Sequence, residues 1–347
     1  MNNPLTICIP TNRNVKGSEA SINSAISFCE KNKSSLIISD NSKDNKKKKL
    51  LLTKKLPYLK TIFDGPKIAI ENWLNAVKYS KSLYTLILSD DDLIYNIEEP
   101  NYSYIEAKKN DIIGIKPIIS CWNQAVGIYK NNTFQINESD PLERILNYRK
   151  NYNGDNTTMY SFFETKVLKD LLSVFLYHPT RGGYTDWAFM QALVSSGKIL
   201  HDNSKLLIYK NNNWFGDKKH IVNQEKNLFI NVGLTERGIL FSTLFRAIDV
   251  FILILRQTSP INRPILIETA KNSFKFYINI FLNFFNKNNN LFSSKEIIEI
   301  SRLSSQSKVE KILEETYKVI ETFNSDLAHK YKVFYYQSIG YDWGIIK

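Results

Sequence analysis

Tyr84-Thr85-Leu86-Ile87-Leu88-Ser89-Asp90-Asp91-Asp92 opens as a run apolar enough for a strand in the middle of a sheet and stops at three consecutive acids. Carboxylates held side by side at the end of a buried strand repel one another, which is unfavourable unless a cation or strong donors compensate. A divalent ion with a taste for hard oxygen ligands, Mg²⁺ or Mn²⁺, is the natural partner, and such ions commonly bridge protein carboxylates to substrate phosphates. The plainer alternative is a solvated turn or a helix cap, where aspartate is common.

Working outward, Ile70, Trp73, Leu74 and Val77 follow Gly65-Pro66 at i, i+3, i+4 and i+7, which predicts an amphipathic helix leading into the strand. Upstream, residues 5–9 form an apolar run ending at Pro10, and residues 36–38 another ending in Ser39-Asp40-Asn41-Ser42. Ile22, Ala25, Ile26 and Cys29 lie between them at helical spacing, so the chain opens as β-α-β with parallel strands. The lysine-rich run at residues 43–49 reads as a solvated loop or helix start. Downstream, residues 112–119 and 159–163 predict strands, residues 167–175 a helix, and a further helix begins near Thr185. Residues 199–200 and 206–209 complete an α/β domain spanning 1–222. From 223 to 347 the pattern turns to long helices over 239–255, 265–285 and 294–323.

The composition is globular: 43% of residues are hydrophobic and glycine and proline are sparse. A net charge of +12 suits phosphorylated ligands or an anionic surface, yet neither interleaved basic-aromatic motifs nor zinc-finger spacing accompanies it, so nucleic acid is not an expected partner. Cys8, Cys29 and Cys121 are widely spaced, which indicates neither a disulfide framework nor a zinc site. The N-terminal residues lack the pattern of a signal peptide, and the expected location is the cytoplasm, including the inner face of the membrane. Residues 239–255 are largely apolar but contain Arg246 and Asp249, which points to a buried or interfacial helix rather than a spanning one. For the aromatic-rich residues 274–285, attachment to a membrane surface stands against core packing or a contact in a homo-oligomer.

In open α/β sheets, ligands bind beyond the carboxyl ends of the strands. Three such ends could converge here: Pro10-Thr11-Asn12, Ser39-Asp40 and Ser89 to Asp92. A nucleotide lying across them would offer a base N–H to Asp40 and a diphosphate to a metal. A P-loop phosphotransferase would need GxxxxGK[ST], and none is present.

These elements, TICIPTNRN at 6–14, IISDNS at 37–42, the helix bearing Asn72, YTLILSDDD at 84–92 and TDWAF at 185–189, resemble glycosyltransferase family 2 in their order and spacing. The resemblance covers about residues 5–209, and LSDDD is similar to the bacterial abequosyltransferase-like, polysaccharide-building members. It implies a GT-A fold, a Rossmann-like mixed sheet flanked by helices, with the helical domain appended. It also implies that Pro10, Thr11 and Asn12 line the nucleotide pocket, that Asp40 binds the base, and that Asn72 helps hold the donor. Asp90, Asp91 and Asp92 stand in the metal-binding region, Asp90 on the donor side and Asp91 and Asp92 toward the metal. Commoner members read Leu-Asp-x-Asp-Asp where this chain has Leu88-Ser89-Asp90-Asp91-Asp92, so which of the three binds directly stays open.

Asp186 matches the family's general base, with Thr185 in place of the preceding acid; an acid favourable to a helix N-terminus is the alternative. The function implied is an inverting transfer from a nucleoside-diphosphate sugar to a hydroxyl of a surface or lipid-linked glycan, as in lipopolysaccharide or capsule assembly. A silent nucleotide- or glycan-binding scaffold and a nucleotidyl- or phosphotransferase are the competing readings. Arg181-Gly182-Gly183 could form a mobile acceptor loop or an ordinary turn. His201-Asp202 could ligate a metal but more often serves hydrogen bonding. Trp214 offers a face for a sugar ring, with simple packing as the alternative.

Overall fold

A computed structural model describes residues 4–152, 155–212 and 214–340. It divides into two compact units: the described residues up to Ser173 together with Gly197–Ile221, and Val174–Ser196 together with the residues from Val222 onward.

The first unit begins with β1 (Leu5–Thr11), α1 (Val15–Lys31), β2 (Ser35–Asp40), α2 (Asn45–Thr53), β3 (Leu59–Phe63), α3 (Ala69–Val77), β4 (Tyr84–Ile87) and β5 (Leu93–Asn96). It continues with α4 (Tyr104–Lys109), β6 (Ile112–Asn123), β7 (Gly127–Asn132), α5 (Pro141–Asn151), β8 (Phe162–Glu164) and α6 (Thr165–Phe175). After α7 (Asp186–Ser196), which belongs to the second unit, β9 (Lys198–Lys210) returns to the sheet. The strands lie in the order β3-β2-β1-β4-β8-β6-β9-β5, with β7 paired to β6. β3, β2, β1 and β4 run parallel, β8 is antiparallel to both its neighbours, and β6 and β9 are again parallel. This is a mixed α/β sheet flanked by helices.

The register explains where the site forms. Pro10 and Thr11 pair with Ser39 and Asp40, while pairing with β4 ends at Cys8 and Ile87. Pro10 therefore sits beyond the reach of β4, where its missing N–H costs no ladder bond. Ile7, Ile9, Leu36, Ile38, Leu86 and Leu88 are buried in one core with Phe28 of α1, whose ring stacks on Phe162 at 5.9 Å. Full burial of each such side chain contributes about 1.5–3 kcal/mol, so the parallel strand ends rest on a rigid floor. The three cysteines are buried free thiols.

Residues 159–163 differ from their expected strand: a 3-10 turn over Thr157–Tyr160 precedes a three-residue β8. Residues 199–209 form one strand, whose register against β6 slips between Asp202 and Leu206. A bulge at this point explains the broken apolar pattern.

The chain passes through α8 (Lys218–Ile230) to α9 (Ser242–Leu255), α10 (Arg263–Lys287), α11 (Ser294–Ile300), α12 (Val309–Phe323) and α13 (Ser325–Ile339). The expected long helix over 294–323 is thus two, separated by a turn. Residues 174–196 were expected within the first domain, yet α7 packs in the second unit against α9: Gln191 Nε2 donates to Tyr277 hydroxyl (2.7 Å), and Arg256 donates to Ser196 Oγ (2.8 Å). Glu236–Leu255 is long and apolar enough to cross a membrane, but 72% of the 18-residue apolar stretch within it is buried inside the molecule. Its Asp249 is bonded to His178 Nε2 at 2.9 Å. On α10, Phe274, Tyr277, Phe281 and Phe285 are core side chains, while Phe276 and Ile280 are exposed. Four of the six aromatic side chains in that stretch are therefore interior packing.

Candidate functional site

β1 is followed by only three residues before α1, whose N-cap Asn14 accepts from Gly17 N–H. That tight exit presents the N–H groups of Asn12 and Arg13 to the residues after β4. Asp90 Oδ2 accepts from both (3.3 and 3.2 Å) and from Thr11 hydroxyl (2.6 Å), while its Oδ1 accepts from Arg13 Nε (2.9 Å). Arg13 spans to the neighbouring acid, donating from Nη2 to Asp91 Oδ2 (2.7 Å), and Ser89 hydroxyl donates to Asp91 Oδ1 (2.7 Å). Burial pulls the Arg13 guanidinium down, but the charges of Asp91 and Asp90 outweigh it and hold Arg13 above its ordinary value.

Thr11 hydroxyl in turn accepts from Lys47 Nζ (2.7 Å), which also donates to Arg13 carbonyl (2.9 Å) and Asp40 Oδ1 (3.2 Å). Lys47 is fully buried. It is the exception in the 43–49 run, which otherwise is the solvated helix start expected of it, with Lys43, Asn45, Lys46, Lys48 and Lys49 exposed. Asp44 caps α2, accepting from Lys46 and Lys47 N–H, and also accepts from Val15 N–H (2.8 Å), which pins the start of α2 to the start of α1. Lys47 and Leu51, one turn apart, then form the buried face. Desolvation lowers the Lys47 pKa, opposed by the attraction of Asp40. Asp40 itself is 4% exposed and also accepts from Ser42 N–H (3.0 Å).

Asn72, from α3, is buried with both ends of its amide spent on Ser39: Oδ1 accepts from the hydroxyl (2.5 Å) and Nδ2 donates to the carbonyl (3.2 Å). It holds the end of β2 in place. Gly65 is required beside it, because a Cβ there would meet Asn72 Oδ1 at 2.6 Å.

Asp92 is held from β9. Its Oδ1 accepts from Lys210 N–H at the end of β9 (2.8 Å), and its Oδ2 is buried without a hydrogen-bond partner. Desolvation, with the charges of Asp91 and Asp90, pushes its pKa up to about 8 against the pull of the Lys210 N–H.

The first unit therefore brings together Pro10, Thr11, Asn12, Asp40, Asn72, Asp90, Asp91 and Asp92 around the carboxyl ends of β1, β2 and β4. Asp186 is half-buried and opens α7 in the second unit. It follows a turn in which Arg181, Gly182 and Gly183 all have positive φ (51°, 111° and 88°), and a Cβ on Gly183 would meet Val232 at 2.6 Å. His201 and Asp202 serve structure: His201 Nδ1 donates to Lys116 carbonyl (3.2 Å). Asp202 accepts from Lys205, Ser204 and Tyr102, whose pull overcomes burial and keeps its carboxyl low.

Among the described residues no three His, Cys, Asp or Glu side chains form a ready-made metal cage. Asp90 has four donors on its two oxygens and fits a structural role. Asp91 is partly open to solvent, and Asp92 carries the orphaned Oδ2. One or two carboxylates plus substrate phosphates suffice for Mg²⁺, so the pair fits such an ion provided Arg13 releases Asp91. Arg13 and Lys47 are the contributors that sequence reasoning missed. Arg13 lies inside the quoted 6–14 motif, and Lys47 is marked only by its spacing from the Asp44 cap and Leu51.

No family model matches the chain, and no curated protein matches it. Among solved structures the chain is similar to S. aureus TarS 1–349, with a TM-score of 0.49 and 11% identity over 98% of this chain and 89% of that one. The same TarS fragment in complex with UDP gives 0.48 and 11% over 96% and 90%. Its complex with UDP-GlcNAc gives 0.49 and 13% over 98% and 89%.

Proposed function

We propose that this chain is a GT-A-type glycosyltransferase that moves a sugar, with inversion, from a nucleoside-diphosphate sugar to a hydroxyl of a surface or lipid-linked glycan. The observation that carries the reading is the hydrogen-bonded chain Asp40–Lys47–Thr11–Asp90–Arg13–Asp91 along the carboxyl edge of three parallel strands. Such an edge is where open α/β sheets receive nucleotides, and here it carries fixed charge of both signs.

In this reading Asp40 accepts from the base, and the backbone of Pro10, Thr11 and Asn12 walls the nucleoside. Asn72 keeps the Ser39-Asp40 corner rigid. Asp91 and Asp92 hold the Mg²⁺ or Mn²⁺, which supplies charge neutralisation to the diphosphate. Arg13, once released from Asp91, keeps a guanidinium beside the same phosphates, suited to bidentate recognition. Asp186 takes the proton from the attacking acceptor hydroxyl. Kinship with abequosyl-transferring members rests on the Leu88–Asp92 stretch alone.

Asp186→Asn tests the chemistry. It should lower transfer by about 10²–10⁴-fold, the span of general base catalysis, with donor binding intact by calorimetry. Undiminished transfer would remove Asp186 from the mechanism. A protein that binds nucleotide sugars but never turns them over with Mg²⁺ or Mn²⁺ would be a binding scaffold instead.

A further inference from the structure

Two segments of the first unit meet next to the acidic cluster: the β6–β7 hairpin at residues 123–129 and, in the chain leaving β9, the described residues 211, 212 and 214–216. Lys210 N–H, which holds Asp92, is the last donor of β9, so the second segment starts one residue from the proposed site. Asn211 ties the two together, donating from N–H to Trp122 carbonyl (2.9 Å) and from Nδ2 to Tyr129 hydroxyl (2.5 Å). Asn212 Oδ1 accepts from Asn123 Nδ2 and Gln124 N–H, both at 3.3 Å. On this frame the rings of Tyr129 and Phe215 lie 5.1 Å apart.

The frame holds apolar surface out in water. Tyr129 is 39% exposed, Trp214 and Phe215 37% each, and Val126 and Ile128 at the hairpin tip 54% each. The Tyr129 ring, fixed by the Asn211 amide and packed on Phe215, is left solvated with Trp214 next in sequence to Phe215, a patch of the kind that marks an interaction site. Its chemistry narrows the occupant. In a chain that is 23% charged, residues 123–129 and 211–216 contain no Asp, Glu, Lys, Arg or His. An anionic membrane or a nucleic acid would call for basic residues. Aromatic faces beside asparagine and glutamine amides instead match a ring with C–H faces and a rim of hydroxyls.

We infer that Tyr129, Trp214 and Phe215 form a subsite for neutral pyranose units of the acceptor glycan, presenting it to the donor edge at Asp92. This rests on the glycosyltransferase reading and names the class of its acceptor: an uncharged sugar chain, stacked on rings and bonded by the exposed side chains of Gln124 and Asn212. Ring stacking tolerates sugar identity, so simple neutral oligosaccharides serve as probes.

The test is calorimetric titration of the intact chain with chitotetraose and with maltotetraose, alongside Trp214→Ala/Phe215→Ala and, separately, Tyr129→Phe. At least one probe should bind the wild type, and the double variant should weaken it tenfold or more, with nucleotide-sugar affinity and melting temperature unchanged. Tyr129→Phe keeps the ring and loses the hydroxyl held by Asn211, so it remains readable should the double variant fail to fold; it should retain stacking and lose part of the affinity. Binding of neither probe, or equal binding by wild type and double variant, overturns the subsite. Failure of the donor reading shows up separately, as a wild type that binds a neutral tetrasaccharide but no nucleotide sugar.

Discussion

The Thr11 hydroxyl donates to Asp90 and accepts from Lys47, so one uncharged oxygen joins the carboxylate after β4 to the buried ammonium of α2. Thr11→Val keeps the shape and removes both bonds. It should lower the unfolding free energy by about 1–3 kcal/mol, the cost of leaving buried polar groups short of a partner; urea unfolding would show it, and an unchanged midpoint would mean the network is slack. Lys116, on β6, is a second buried ammonium, bonded to Asn132 carbonyl (2.7 Å) and lowered by desolvation to about 7 from the usual 10.5. Between those values the unfolded chain binds more protons than the folded one, so stability rises with pH across the window and is lost as pH falls through 7. Lys116→Met should flatten that rise in denaturation series at pH 6.5 and pH 10; an undiminished slope would show that the ammonium is not its source. At this scale the sequence exposed the acids well, because Asp40 and Asp90 to Asp92 each stop an apolar run. It hid Lys47, which stands among six other residues of a polar run and differs only in facing inward.

Among elements, those that position the site were legible and the edges were not. β1, β2 and β4 are buried on both faces and read as continuous apolar runs, and α1 and α3 between them repeat at i, i+3, i+4. β3, β5 and β7 carry lysines, asparagines and exposed Tyr95 and Ile128, so no run or strict alternation betrays them. Tertiary pairing, not local pattern, makes them strands. The junction of β2 with α3 can be tested by Gly65→Ala. The new Cβ would press on Asn72 Oδ1 at 2.6 Å and Ser39 Oγ at 2.8 Å, so the amide must let go of Ser39. Weaker nucleotide-sugar binding with a lowered melting temperature is expected; an unaltered affinity would show that the Ser39-Asp40 corner does not depend on Asn72.

Across the whole molecule, the chain's division into units was the least legible feature. Helical character beginning near residue 223 suggested a simple cut, but α7 lies earlier in sequence and is apolar nearly all round, with residues from Ala188 to Ser196 buried. A helix without a polar face needs partners on every side, and those include α9 and Tyr277 of α10. A chain ended at residue 221 should therefore expose α7 and aggregate in size-exclusion chromatography, whereas a monodisperse product would show that α7 can be buried without the later helices.

The central claim is that the carboxyl edge of β1, β2 and β4 binds a nucleoside-diphosphate sugar. Calorimetric titration with UDP-, GDP-, CDP- and dTDP-sugars in the presence of Mn²⁺, on the wild type and on Asp40→Asn with melting temperature as the folding control, tests it most directly. One donor should bind the wild type and bind a folded Asp40→Asn roughly tenfold or more weakly, the weight of a hydrogen bond to a charged group. No binding by any of the four, or equal affinity in the variant, would contradict the account.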